Sequence, residues 1–175
     1  INDIWSWACT HHRYEDLVLV CTAAGNPSNE RIQQAAGSFV QVARCKIDQA
    51  GFDVPGIRAQ TVVQCELTNS GSSSPGTAGS AAITPWQYGT VVGCFISGWR
   101  GGGIAKVQLS TIASNIVANC RAGVGIGVFF NAASVYNTYV GGNTVYGCAG
   151  DGIEIENADA VSATIANNIL ADNGG

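Results

Sequence analysis

Apolar and polar residues alternate over short stretches of this chain, and glycine or asparagine separates one stretch from the next. The run Gly152-Ile153-Glu154-Ile155-Glu156 is a clear example. Strict alternation is typical of a β-strand with one buried face, and no window shows the sustained 3.6-residue period of an amphipathic helix. The pattern predicts many short strands joined by tight turns. The exception is a short helix expected over Ser28–Ala36, with Ser28 as its N-cap.

The motif Val-x-x-Cys recurs along the chain at spacings of 20 to 29 residues. Its six copies end at Cys21, Cys45, Cys65, Cys94, Cys120 and Cys148. We expect these side chains to form one ladder of small, buried, free thiols at a corner of a stacked structure, with disulfides between some of them as the alternative. The total of seven cysteines is odd, so at least one is not in an intramolecular disulfide. The Cys-x2–4-Cys pairs of zinc sites are absent, and no metal site is expected from the cysteines.

A second motif, a small residue followed by isoleucine, lies between the cysteines. It occurs at Gly56-Ile57, Gly103-Ile104, Gly125-Ile126 and Gly152-Ile153. A period near 25 residues indicates a solenoid, in which each turn buries its apolar side only by stacking on its neighbours. The Leu-x-x-Leu-x-Leu signature of leucine-rich repeats is absent. The repeat therefore predicts an all-β coil of stacked strands.

These motifs resemble the repeat of right-handed parallel β-helix proteins of the pectin-lyase-like family, and residues 164–174 are very close to that family's usual rung. The resemblance implies a single-stranded right-handed parallel β-helix of about six to seven rungs over residues 16–175. Residues 1–15 do not fit the repeat and are expected to form an N-terminal cap-like segment. The chain has no methionine and ends where another strand should begin, so we expect a piece of a longer β-helix.

Function is less constrained, because the family includes lyases, hydrolases, epimerases, phage tailspikes and adhesins. The family's sharper catalytic signatures, such as Asn-Thr-Asp and Gly-His-Gly, are missing. We therefore favour a non-catalytic surface or fibre module that interacts with polysaccharide or a cell-surface glycan. A polysaccharide lyase or glycoside hydrolase is the alternative, and a filament built by end-to-end stacking is the second. Homo-oligomers are compatible both with the surface or fibre module and with the filament. Family analogy implies an extracellular, cell-surface or virion location.

The amino-acid composition argues against two classes of partner, nucleic acids and membranes. Charged residues make up 11% of the 175 residues and the net charge is −4. Nucleic-acid binding is not expected, because phosphate contacts need clustered lysine and arginine. A membrane span is not expected either, because no apolar run approaches about 20 residues.

If the protein is an enzyme, the carboxylates around residue 154 are the candidates. Glu154 and Glu156 alternate with isoleucines and should project from one strand face about 6.5–7 Å apart. That spacing suits an inverting acid–base pair. Asp151 precedes them, and the three could hold Ca²⁺ in a lyase, with Arg100 or Lys106 as the base. No other cofactor is expected.

A sugar platform is the non-catalytic counterpart of that site. Aromatic rings bind the apolar faces of pyranose rings while nearby polar groups accept and donate hydrogen bonds. The candidates for substrate binding are Trp86, Tyr88, Trp99, Arg100 and Phe129.

Overall fold

The computed structural model of the chain describes residues 4–6, 11–20, 32–34, 39–50, 56–71, 81–107, 109–129, 137–156 and 162–174. Every regular element in these ranges is a β-strand. No helix there is long and apolar enough to cross a membrane. The strands are, in chain order, β1 (Ile4–Ser6), β2 (His11–Glu15), β3 (Val18–Val20), β4 (Ile32–Gln34), β5 (Phe39–Ala43), β6 (Lys46–Asp48), β7 (Ile57–Val63), β8 (Glu66–Thr68), β9 (Ile83–Val92), β10 (Phe95–Ser97), β11 (Ile104–Val107), β12 (Thr111–Ala113), β13 (Ile116–Ala118), β14 (Ile126–Phe129), β15 (Asn137–Gly141), β16 (Thr144–Tyr146), β17 (Ile153–Glu156), β18 (Ser162–Ala166) and β19 (Ile169–Ala171).

The strands wind into a coil with three parallel faces. The first face is the stack β1-β4-β7-β9-β11-β14-β17, and the second is β2-β5-β7-β9-β12-β15-β18, because β7 and β9 run through both. The third face is the seven-stranded sheet β3-β6-β8-β10-β13-β16-β19. Neighbouring strands pair in parallel on all three faces. The parallel β-solenoid predicted from the repeat is confirmed.

A ladder of isoleucines fills the inner side of the first face. The small-Ile motif places one isoleucine per turn in register, and the described members from β4 to β14 have no exposed surface. In the turns where a glycine precedes the isoleucine, successive turns approach closely. A β-carbon at Gly125 would lie 2.6 Å from the Gly152 carbonyl oxygen and would overlap the Val145 side chain. The motif therefore combines a core residue with a tight corner.

The corner between the second and third faces, called corner A, carries a ladder of inward-pointing residues. Each follows a residue with a left-handed backbone and opens a strand of the third face. From β6 to β19 the ladder residues are Cys45, Cys65, Cys94, Asn115, Asn143 and Asn168.

Asparagine and cysteine play related parts in this ladder. The Nδ2 of Asn115 donates to the Val91 carbonyl of the preceding turn at 3.0 Å, and its Oδ1 accepts the Cys94 N–H at 2.9 Å. The Cys94 thiol donates to the Val62 carbonyl of the turn before that at 3.7 Å. Both side chains thus satisfy backbone groups left open where the chain bends. Asparagine does so with two groups, while the thiol is a weak donor.

The corner between the third and first faces, called corner B, has a similar ladder. Trp99, Cys120, Cys148 and Asn173 stack there, and the Asn173 Oδ1 accepts the Cys148 N–H at 3.0 Å. The prediction of one cysteine ladder is therefore wrong, because the described cysteines divide between two corners. At both corners a strand is followed by a residue with a left-handed backbone and then by an inward-pointing side chain. The Val-x-x-Cys motif therefore fits either corner. The five described cysteines are buried and free.

Two expectations near the N-terminus have different outcomes. The helix predicted over Ser28–Ala36 is wrong at Ile32–Gln34, which is strand β4 paired with β7; its other residues lie outside the described ranges. The apolar register of Ile32 with Ile57 outweighs local helix propensity there. Within residues 1–15, β1 and β2 pair in parallel with β4 and β5. The capping role of this segment stays a prediction.

Replacing Asn143 by alanine should strongly destabilise the protein. Its Oδ1 accepts from the N–H and the Nδ2 of Asn115, and its Nδ2 donates to the Ile112 carbonyl. Buried groups left without partners cost about 1–3 kcal/mol each, so we expect a loss of about 2–5 kcal/mol in the free energy of unfolding. Denaturant titration at an unchanged m-value measures it. Asn137→Ala, an exposed change at the start of the same turn's second-face strand, should cost less than about 0.5 kcal/mol. Equal losses in the two variants would contradict the ladder's role.

Candidate functional site

The residues that follow the ladder isoleucines form an outward row on the first face, in register from turn to turn. Arg58 pairs with Thr84, and Gly127 pairs with Glu154. Glu154 is half-buried on β17, and Asp151 is exposed just before that strand. The side chain of Glu156 lies outside the described residues. In the described part of this row Glu154 is the one acidic residue, and its neighbour in the preceding turn is Gly127.

Metal binding by these carboxylates stays a prediction. Within the described ranges, no three or more histidine, cysteine, aspartate and glutamate side chains form a group that could hold a metal ion. Because the Glu156 side chain is not among them, the set of Asp151, Glu154 and Glu156 expected for Ca²⁺ is not tested.

Three of the residues expected to bind sugar, Tyr88, Trp99 and Arg100, can be placed in the structure. Trp99 has no exposed surface and packs in the core at corner B, so its indole is removed from any outer face. Tyr88 is 69% exposed and lies where β9 passes from the first face to the second. The Arg100 N–H donates to the Gln49 Oε1 at 2.9 Å. The side chains of Trp86 and Phe129, and of Lys106, lie outside the described residues.

The structure instead brings together a row of hydroxyl side chains on the outer side of the second face. Thr61, Thr90, Thr111, Tyr139 and Thr164 occupy successive turns in register. Neighbouring strands lie about 4.8 Å apart, so the row presents one hydroxyl group at each such step along the coil axis. Sequence reasoning missed this row, although a signal exists: each member stands four positions before a corner A residue.

A groove of about 270 Å³ opens at the beginning of β12, β15 and β18, beside this row. Its described lining residues carry hydroxyl and amide groups and one aliphatic side chain, and none is charged. They are Leu109, Ser110, Thr111, Asn137, Thr138, Tyr139 and Thr164.

Tyr139 lies along its strand instead of projecting away from it. Its phenol group occupies the space over Gly141, where a β-carbon would overlap the phenol oxygen. The residue is 39% exposed, so part of the aromatic ring is open to solvent beside the groove. Glycine at position 141 thus makes room for the tyrosine to lie on the sheet.

The described ion pairs lie toward the N-terminal end of the coil, away from the groove. Lys46 pairs with Glu66 at 2.6 Å on the third face. Arg44 donates to Asp16 at 2.8 Å, and this hydrogen bond lowers the pKa of the Asp16 carboxyl group. Among the described residues, the lining of the groove carries no charge, unlike that N-terminal part of the coil.

The buried thiols have the character of core groups. The hydrogen bond with Cys45 lowers the pKa of Cys65, but the bond with Cys94 and burial together raise it to about 12. At corner B, the bond with Cys148 raises the pKa of Cys120 well above its usual value, while the same contact lowers that of Cys148 to about 7. Since Cys148 is 2% exposed, access limits its reactivity whatever its ionisation.

A family model described as a right-handed beta helix region matches residues 30–175 of the chain. The match covers most of the sequence and includes both corner ladders and the groove. No curated protein and no solved structure matches the chain.

The five described thiols should not react in the folded protein. We expect a Cys9→Ser/Cys21→Ser variant to show no fast reaction with Ellman's reagent under native conditions, and five reactive thiols after denaturation in guanidinium chloride. Absorbance of the released thiolate measures both. Fast native reaction of one thiol would show that a corner ladder opens to solvent, and mass spectrometry of the labelled peptide would identify it.

Proposed function

The chain belongs to the right-handed β-helix family, and we propose that it is a non-catalytic module that binds polysaccharide on its second face. The observation that carries this proposal is the hydroxyl row from Thr61 to Thr164 with the groove beside it. Linear polysaccharides present hydroxyl groups at regular intervals, and a regular row of hydroxyl and amide groups can exchange hydrogen bonds with them.

The chemistry of the lining residues supports binding over bond cleavage. Glycoside hydrolysis needs two carboxyl groups on opposite sides of the scissile bond. The described lining residues contain no carboxylate and no imidazole, and the hydroxyl groups of threonine and tyrosine are poor proton acceptors near neutral pH. Glu154 lies on the first face, on the outer side of β17. These residues can hold a sugar but offer no acid–base pair to act on it.

The aromatic ring of Tyr139 completes a sugar-binding surface. A ring lying along the sheet offers its face to the apolar side of a pyranose, while Asn137, Thr111 and Thr164 offer polar contacts around it. A polysaccharide following the row would cross successive turns of the coil. On this basis we place the module outside the cell, at a cell surface or on a virion, where polysaccharides are presented.

The proposal predicts binding without turnover. Titration of the protein with neutral and acidic hexasaccharides should give a heat of binding for at least one of them, with no new reducing ends or unsaturated uronate. Tyr139→Ala should weaken that binding roughly tenfold or more, since loss of a contacting ring costs about 1.4 kcal/mol or more. Tyr146→Ala is the matched control: Tyr146 is 40% exposed against 39% for Tyr139, but lies on the third face.

Two outcomes would contradict the proposal. Absence of binding across the panel would remove the polysaccharide partner. Product formation would make the protein an enzyme, and its loss in Glu154→Gln would then assign the chemistry to the first face.

A further inference from the structure

A second row of outward positions runs beside the hydroxyl row on the second face. It holds the residues two positions later on the same strands, which lie on the same side of the sheet. The two rows are about 6.5–7 Å apart. In register from turn to turn, the second row consists of Val63, Val92, Ala113, Gly141 and Ala166. We call it the apolar row, because it places a small apolar residue next to each hydroxyl group.

Tyr139 fills the position in the apolar row that Gly141 leaves open. Its phenol ring lies where a side chain at position 141 would begin. The ring is therefore placed between Ala113 of the preceding turn and Ala166 of the next, both of which are half-buried. The apolar row is thus continuous across this turn, with an aromatic ring in place of an aliphatic side chain.

The two rows carry no charged residue in the described strands from β7 to β18. Toward the N-terminus the same two rows reach Arg13 and Glu15 on β2, which form an ion pair with each other. A charged ligand group lying on the uncharged part would lose water without gaining a partner, which is unfavourable. The surface between Thr61 and Thr164 therefore suits a neutral ligand.

The rows also restrict the shape of that ligand. In-register parallel pairing places equivalent residues one above the other, so both rows are straight and span about 19 Å along the coil axis from Thr61 to Thr164. A ligand that contacts both rows in successive turns must be extended, with an apolar face beside an edge of hydroxyl groups. A β-1,4-linked pyranose chain is a ribbon of this kind, whereas an α-1,4-linked glucan chain curves.

We propose that the second face binds one chain of a neutral β-1,4-linked polysaccharide along the coil axis. The flat sides of its pyranose rings pack on the apolar row and on the Tyr139 ring, and the hydroxyl groups of one edge exchange hydrogen bonds with the hydroxyl row. This inference rests on the proposed function and names the ligand class and its direction. Because each turn adds a contact of both kinds, affinity should rise with the length of the chain.

Calorimetric titration of the wild-type protein tests the linkage and the length of the ligand. The probes are the β-1,4-linked cellohexaose, mannohexaose and xylohexaose, with the α-1,4-linked maltohexaose as the comparison. At least one β-1,4-linked hexasaccharide should bind roughly tenfold or more tightly than maltohexaose, and its disaccharide should bind roughly tenfold or more weakly than the hexasaccharide.

A pair of alanine variants tests where the chain lies. Ala113→Lys places a long charged side chain in the apolar row and should weaken binding of the same hexasaccharide roughly tenfold or more. Ala105→Lys is the matched control, since Ala105 is also half-buried but lies on β11 of the first face. It should leave the affinity unchanged. Equal melting temperatures of the two variants show that the loss of binding is not a loss of folding.

Each other outcome overturns the inference in a distinct way. If maltohexaose binds as tightly as the β-1,4-linked probes, or if only an acidic hexasaccharide binds, the ligand class is wrong while polysaccharide binding stands. Equal affinities for the disaccharide and the hexasaccharide would show a single subsite instead of an extended one. Wild-type affinity in Ala113→Lys would place the ligand away from the apolar row. If no polysaccharide probe binds, the inference and the proposed function both fail.

Discussion

In-register parallel hydrogen bonding between successive turns is the constraint on which the rest of the structure depends. Because each strand pairs with the same strand of the next turn, a residue that points inward meets the equivalent residue above and below it. The first face shows the result, since isoleucine follows isoleucine from β4 to β17. One substitution in such a ladder disturbs two neighbouring turns. Inward positions are therefore restricted to a few shapes, and the repeat becomes visible in the sequence.

The corners add a second requirement, because the backbone must bend while its polar groups stay satisfied. At corner A, Asn115 is the point where the ladder changes from cysteine to asparagine. Its Oδ1 accepts the backbone N–H of Cys94 in the preceding turn, and the Oδ1 of Asn143 in the next turn accepts the backbone N–H of Asn115. Asparagine supplies a donor and an acceptor, whereas cysteine supplies a small apolar body with a weak donor. A ladder can change from cysteine to asparagine between turns, because both side chains fit the space that follows a residue with a left-handed backbone.

Outward-pointing side chains are not restricted in this way, so we expect the functional residues to be among them. The first face carries a mixed row that includes Glu154, while the second carries a hydroxyl row beside a groove whose described lining residues are uncharged. Thr138 is an exception on the inner side, because it carries a hydroxyl group with no hydrogen-bond partner.

The sequence by itself determined the solenoid, since the glycine-isoleucine and Val-x-x-Cys motifs recur at a period that only stacked strands satisfy. It could not assign the cysteines to their corners, because both corners use the same local succession of strand, left-handed residue and inward side chain. Nor could it find the groove, whose walls come from residues 25 and 28 positions apart, such as Thr111, Tyr139 and Thr164. Because the loops between turns differ in length, the sequence spacing alone does not show which residues are in register. Only tertiary pairing of the strands decides which side chains share a face, because the backbone hydrogen bonds between turns set the alignment.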